Sequence, residues 1–448
     1  MNKKTLFSDF DAVSAKAWKQ KIQMDLKGAD YNQTLLTNSL DGITIQPFYH
    51  QDTFKSLPIP PQKSLAKICE TLFIDDEKIV NHLIKESLEK GAESIKLIAK
   101  NTFDYKTLFA DLNQNIEVLI FIQFNDNKYV LELIQFLNNF QNTKLIIDII
   151  NQFASDGNWY SNQKEDFNTL IKNAQNTSIN IGIDASLYQN AGANNVQQLA
   201  YTLAHVNEYL NSINHKTTFI FSFAIGSQYF FEIAKIRSFR YLIKKLFTEY
   251  SLNHKFNILL EPTLRNKTLY DYNVNLLRTA TENMASMLCG ADYISSLPYD
   301  AIYHKSNEFG ARIARNQLLI LKEESYFNHE KDLSKGAYYI EQITYELANK
   351  ALKLFKEIEK NGGFIAQLQK GSIQRKIEES ATKEQTLFNK GELVLLGTNK
   401  YPNPLDKMKN ELELFPFTKI KPRKTIIKPI IPKRLAEKME IERLDLEG

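Results

Sequence analysis

The chain has 448 residues, 43% hydrophobic and 24% charged, with 12 prolines and 16 glycines; it can bury a large core and is too apolar for general disorder. Its net charge of +4 is interspersed with acids almost everywhere except near the C-terminus, which argues against a broad basic face and against nucleic acid as a partner. The only cysteines, Cys69 and Cys289, exclude a disulfide framework and a cysteine-rich metal site. No apolar run approaches the roughly 20 residues that span a bilayer, and no apolar segment follows the N-terminal lysines, so a cytoplasmic protein without membrane contact is expected.

The stretch "SAKAWKQKIQMDLKGADY" places Trp18, Ile22 and Leu26 four apart on one helical face, with Ser14 as N-cap and Gly28 as stop. The strand-like "DGITIQPFYHQDTFKSLPIPPQ" then breaks into prolines, which marks residues 1–62 as an N-terminal arm.

Seven short segments follow: "SIKLIA" at Ser94, "VLIFIQF" at Val118, "KLIIDII" at Lys144, "SINIGIDA" at Ser178, "TFIFSFAIG" at Thr218, "FNILLEP" at Phe256 and "ADYISSLP" at Ala291. Nearly continuous β-branched and aromatic runs of this length read as strands of a parallel sheet buried on both faces. Helical patterns lie between them, with Leu199, Leu203, Val206 and Leu210 on one stripe and Ile236, Ile243 and Phe247 on another. Alternation of this kind implies right-handed βαβ units, and the count favours an eight-stranded parallel (β/α) TIM barrel over residues 63–400, with the eighth strand in "QLLILKEES". The strands carry Phe121, Phe124, Phe219, Phe221 and Phe223 with many Ile and Leu, so that whichever face points inward, bulky side chains are expected to fill the axis. A long helix with Leu347, Ala351, Leu354, Phe355 and Ile358 as its stripe ends at Gly362 and Gly363. Residues 401–448 form a Pro/Lys-rich extension, read either as a basic docking strap or as a wrap over the chain's own barrel.

Barrels of this class keep their chemistry at the C-terminal ends of the strands. The titratable residues there are Asp148, Asp184, Glu261 with Arg265, and Asp300. Asp148, inside "LIIDII", needs a partner to be buried and reads as a structural acid. Asp184 and Glu261 end adjacent-but-one strands, a placement in which they face each other across the mouth and suit a general acid and base, or else bind loop backbone and pair with residues such as Arg265. The seven histidines show no metal-ligand spacing, and His205 reads as a partly exposed helix residue. No phosphate loop, dinucleotide fingerprint or nucleophile elbow occurs, and Ser295 and Ser296 read equally as ligand contacts or as ordinary strand-end hydroxyls.

Several segments together resemble methylmalonyl-CoA mutase: "YQNAGANNVQQLAYTLAHVNEYL", "FFEIAKIRSFRYL", "DYNVNLLRTATENMASMLCGADYISSLPYD", "ARIARNQLLILKEES" and "KGAYYIEQITYELANKALKLFKEIEKNGGF". The resemblance runs from about Trp18 to Leu435. It implies a substrate barrel of a family that interconverts methylmalonyl-CoA and succinyl-CoA by a radical route, in propionate metabolism, with adenosylcobalamin as cofactor.

Two departures qualify it. Aligned on Ala191, Gly192 and Ala193, a Tyr-His pair of the catalytic members falls on Ser186 and Leu187, and leucine cannot donate a proton. The Asp-x-His-x-x-Gly that ligates cobalt occurs nowhere, and "SLAKICETLFIDDEKIVNHL" stands where an arginine-rich substrate segment is found. The resemblance therefore implies the family's small, non-catalytic subunit. It would have no cobalamin-binding Rossmann-like domain and bind no cofactor or metal itself; the large subunit would be its heterodimer partner and hold adenosylcobalamin. Trp18, Ile22, Leu26 and Tyr31 of the arm would contact that partner. The alternatives are an independent barrel enzyme using Asp184 and Glu261, and a competent mutase with a detached cobalamin domain.

Overall fold

The computed structural model describes residues 8–62, 64–175, 179–251, 254–420 and 422–447. Lys3, Lys4 and Ser178, each used in reading the sequence, lie outside the described residues. A short antiparallel pair, β1 (Thr37–Asn38) and β2 (Thr44–Ile45), precedes the barrel. The barrel strands are β3 (Lys67–Phe73), β4 (Ser94–Ala99), β5 (Val118–Ile122), β6 (Thr143–Ile147), β7 (Ile179–Asp184), β8 (Thr218–Ile225), β9 (Lys255–Pro262) and β10 (Tyr293–Ile294). All pair in parallel, and β10 closes the ring by pairing with both β9 and β3. This is the expected (β/α) TIM barrel.

The expected eighth strand is not one. "QLLILKEES" is the end of helix Glu308–Leu319 and a following π-turn, Ile320–Glu324. Leu318 and Leu321 are buried while Ile320 is exposed, a helical spacing that an apolar run of this length conceals. The ring is completed instead by β3, "KICETLF". Its apolar run is interrupted because Glu70, on the outer face, pairs with Arg315 of the covering helix, while Cys69 faces the axis and Ile68 and Leu72 face the helices.

The strand period of two also decides where the phenylalanines go. Phe219, Phe221 and Phe223 point outward: Phe221 and Phe223 lie 4.7 Å and 4.8 Å from Phe239, and Phe219 lies 5.3 Å from Phe247, both on helix Tyr229–Glu249. Phe124 lies past the end of β5, against Tyr129. Of the five, Phe121 alone packs with the inner layer formed by Cys69, Leu119, Ile146, Ile220, Leu259 and Tyr293. Bulky side chains fill this inner layer, as expected, and one of the five phenylalanines belongs to it.

The predicted stripes bury as expected: Leu199, Leu203, Val206 and Leu210 on helix Asn195–Leu210, and Ile236, Ile243 and Phe247 on Tyr229–Glu249. Helix Tyr338–Lys360 packs across both, and the chain leaves it through Gly362 in the left-handed region. The arm helix Ala15–Asp25 is capped by Ser14 and followed by Gly28 at φ +98°, yet it buries no residue. Trp18 stays 49% exposed, with one face against Phe48. The C-terminal segment lies on the barrel's own surface. Ile427 and Ile430 donate backbone hydrogen bonds to Gly157 and Ala154 and join the main core, and Leu435 and Ala436 are buried beside Phe388 before helix Glu437–Leu446.

Candidate functional site

At the C-terminal mouth, residues facing the axis alternate with core residues along each strand. Lys96 of β4 reaches Glu261 of β9, Nζ to Oε2, at 2.6 Å. Thr71 of β3 donates to Glu261 Oε1 at 3.3 Å and shares a 2.7 Å hydrogen bond with Ser295. The Lys96 side chain is 10% exposed and that of Glu261 25%, so the pair sits in the opening without being sealed from water. Burial disfavours the charged ammonium, but Glu261 outweighs it, helped by Asp184, and Lys96 is held above the usual lysine range. The Phe121 ring lies 5.1 Å from Nζ.

Asp184 ends β7 beside this pair. Its Oδ1 accepts from Ser186 N at 3.0 Å and from Ser186 Oγ at 2.5 Å. Burial pushes its carboxyl above the ordinary range, against the pull of Ser186 and Lys96. Asp184 and Glu261 do share the mouth, but each oxygen engagement is with a different partner, and Lys96 is the group they have in common. Arg265 is not Glu261's partner: its Nε pairs with Glu384 at 2.5 Å and Nη1 donates to Lys433 O at 2.7 Å.

Below the mouth comes the apolar layer of Cys69, Leu119, Ile146, Ile220 and Leu259, where burial lifts the Cys69 thiol to about 12. At the opposite end Glu117 holds Lys67, the Tyr293 hydroxyl and Lys144, the last at 3.0 Å. Burial alone would raise Glu117; these partners outweigh it and keep it below its ordinary value. The axis is therefore ionic, then apolar, then ionic, with no continuous hydrocarbon filling.

Asp148 is the satisfied structural acid that its setting implied. Its Oδ1 accepts from Asn151 N, Tyr209 OH and His205 Nε2 at 2.9, 2.9 and 3.0 Å, and Oδ2 accepts from Asp184 N at 2.9 Å. His205 is fully buried, not partly exposed: its other nitrogen meets Tyr188 OH at 2.8 Å and its ring stacks 5.6 Å from Phe364. An imidazole on the edge of an apolar stripe becomes interior when a second layer, here Phe364, covers the helix. Asp300 is buried after β10, where it accepts from Asn307 and contacts His304. Ser296 bonds Asn283, so both serines of "ISSLP" have protein partners.

Ser186 and Leu187 begin the one-turn helix Ser186–Asn190, and Leu187 is buried in the main core. Gly192, at φ +102°, follows; a Cβ there would meet the Ala381 methyl at 2.4 Å and Arg265 Nη2 at 3.1 Å. Beside this turn, off the axis, lies a cavity of about 140 Å³ between the ends of β7, β8 and β9, roofed by Leu40 and Asp41 of the arm and by Ser380 and Glu384. Sequence reasoning passed over Lys96 and Asp41. A lysine inside the apolar run "SIKLIA" was the available signal for the first; nothing local marks the second, whose partners Asn195 and Val196 are 154 and 155 residues away.

A closed eight-stranded parallel barrel with polar groups converging on its C-terminal mouth places the chain among the (β/α) TIM-barrel proteins. Within that class it belongs to the methylmalonyl-CoA mutase family, whose model, "Methylmalonyl-CoA mutase", matches residues 142–434. It is 31% identical over 90% of its length to the methylmalonyl-CoA mutase small subunit of Porphyromonas gingivalis, and it spans 72% of that protein. It is 36% identical over 234 residues to methylmalonyl-CoA mutase of Cereibacter sphaeroides, and 32% identical over 245 residues to the mutase large subunit of Propionibacterium freudenreichii. The chain spans about a third of these last two proteins, 33% and 34%.

Proposed function

We propose that this chain is the small subunit of a methylmalonyl-CoA mutase, a non-catalytic barrel that pairs in the cytoplasm with a cobalamin-holding large subunit. In this reading residues 1–62 are the partner-binding arm, 63–400 the barrel and 401–448 an extension that ties the barrel together. The observation that carries it is the axis. Lys96 and Glu261 meet in the mouth, an apolar layer lies beneath, and Glu117 with Lys67 and Lys144 occupies the far end. The cavity beside the mouth, about 140 Å³, falls short of the several hundred Å³ that ordinary ligand sites enclose, so a CoA thioester does not fit it. Leu187, on the turn where catalytic relatives are expected to carry histidine, is buried in hydrocarbon and has no proton to give.

Adenosylcobalamin does not fit the described mouth either. The cavity is far smaller than a corrin, and His205, which hydrogen-bonds Asp148 at the end of β6, is buried with both nitrogens engaged by Asp148 and Tyr188. No chemical step is assigned to the cofactor on this chain. Among the described residues no helix is long and apolar enough to cross a membrane.

The test is reconstitution with a cobalamin-binding mutase large chain. The expected result is co-elution as a stable complex, with mutase activity unaffected when Asp184 and Glu261 of this chain are both changed to alanine in a folded variant. Failure to associate, or activity lost with those carboxylates while the complex persists, would overturn the reading, the latter in favour of a catalytic mouth.

A further inference from the structure

The arm meets the barrel through the tip of one tight turn. Gly42 N donates to Ser39 O at 3.0 Å, and Gly42, at φ +67°, lets the chain return as β2, so Leu40 and Asp41 stand at the apex of the β1–β2 hairpin. The apex lies against the N-terminus of helix Asn195–Leu210. There Asn194, the helix's own cap, accepts from Gln197 N at 2.9 Å and donates its Nδ2 to Leu40 O at 3.3 Å. Val196 N is served from the arm instead: it donates to Asp41 Oδ1 at 3.3 Å, while Asn195 Nδ2 donates to Asp41 Oδ2 at 3.1 Å. Asp41 is 7% exposed and faces the positive end of a 16-residue helix, so its charge is matched where it lies. Ile43, buried in the main core, is the apolar half of the same attachment.

Helix Ala15–Asp25 is placed differently. It buries no residue and leans on the arm itself: Ala15 N donates to Asp52 Oδ2 at 2.9 Å, Trp18 packs on Phe48, and the Lys19 ammonium lies 4.6 Å from the Tyr31 ring. Its position over the barrel is therefore inherited from the hairpin and from Tyr49 and Phe54, which pack on Tyr339 and Tyr338.

We propose that Asp41 is the latch of the arm: its carboxylate completes a helix end 155 residues away and thereby fixes, through the hairpin, where helix Ala15–Asp25 stands for the partner subunit. This rests on the reading of residues 1–62 as the partner-binding arm. Asp41 is buried and acts from behind the contact, as a positioning residue. Removing it leaves Val196 N–H and the Asn195 amide without an acceptor in a covered place, which frees the hairpin first.

The test follows amide hydrogen exchange by mass spectrometry on the full chain alone, wild type against Asp41→Ala. Residues 31–45 are expected to exchange roughly tenfold faster or more, and Val196 with them, while β8 and β9 keep their wild-type rates. An arm that exchanges at the wild-type rate would overturn the proposal, and so would uniform acceleration along the chain, the mark of a merely structural residue. Affinity for an immobilised mutase large chain is then measured, and should fall about fivefold or more in the variant. A loosened arm with unchanged affinity would overturn the positioning role. A wild-type chain that fails to bind the large chain would overturn the subunit role and the positioning with it, whereas the latch itself is decided by the exchange. Should Asp41→Ala not fold, Asp41→Asn keeps the shape and removes the charge; unchanged arm exchange in that variant would overturn the proposal equally.

Discussion

Lys96 and Glu261 meet at 2.6 Å although their strands, β4 and β9, are separated in the ring by β3 and β10. The contact spans the mouth, and it places a protonated ammonium where a barrel of this class would present its reacting groups. Because Glu261 and Asp184 hold Lys96 above its usual range, it remains a cation at neutral pH and cannot act as a free amine nucleophile.

Removing that cation leaves Glu261 with Thr71 as its one hydrogen-bond partner among the described residues. Lys96→Met is expected to destabilise the chain by about 1–3 kcal/mol, less than a fully buried pair would lose because a quarter of Glu261 meets water. Urea denaturation measures it, and Lys96→Met combined with Glu261→Gln should recover part of the loss. A double variant no better than the single one would mean the ion pair is not the cause.

His205 ties helix Asn195–Leu210 to the ends of β6 and β7 through Asp148 and Tyr188. His205→Leu keeps the volume and strands the buried Tyr188 hydroxyl, at a cost of about 1–3 kcal/mol. His205→Gln should restore part of it. A thermal midpoint unchanged by the leucine would show the network to be dispensable.

Gly192 holds a backbone conformation that side chains rarely adopt, and Ala381 fills the place a methyl would take. Gly192→Ala is expected to cost about 3 kcal/mol from strain and clash together. The chemical denaturation midpoint reports it, with Gly391→Ala as a comparison where the backbone is equally left-handed but no atom lies within 4 Å.

Trp18 is half-exposed on a helix that buries nothing, so Trp18→Ala should leave the isolated chain within about 0.5 kcal/mol of wild type. Its affinity for a mutase large chain should fall about 30-fold, the loss of roughly 2 kcal/mol typical of an aromatic anchor. Surface plasmon resonance with the large chain immobilised measures this. Ile22 and Leu26 are partly covered and Tyr31 is buried, so alanine at Tyr31 should instead lower stability.

Burial depresses the pKa of His254, which packs against Phe219 and Phe247 and accepts a hydrogen bond from Thr217 N. The folded protein therefore resists protonating it, while the unfolded chain takes up the proton near pH 6.5. Its contribution is fully present above that pH and is lost as pH falls through it toward the folded value. The urea midpoint should drop more between pH 7.5 and 5.5 in wild type than in His254→Gln; parallel profiles would remove the assignment.

The barrel was legible because strands buried on both faces write themselves as apolar runs, and seven of eight did so. β3 did not, since Glu70 on its outer face takes its partner, Arg315, from a helix 245 residues further on. For the same reason Asp184 and Glu261 were readable as strand-end acids while Lys96 between them was not. Period and composition are local properties, and they determined the class of fold, the helix stripes and which acids stand at the mouth. Pairings such as Lys96 with Glu261, Arg265 with Glu384 and His205 with Asp148 were decided only by closure of the ring, because burying a charge requires a partner and the nearest one in space is set by how strands far apart in sequence are brought around a common axis.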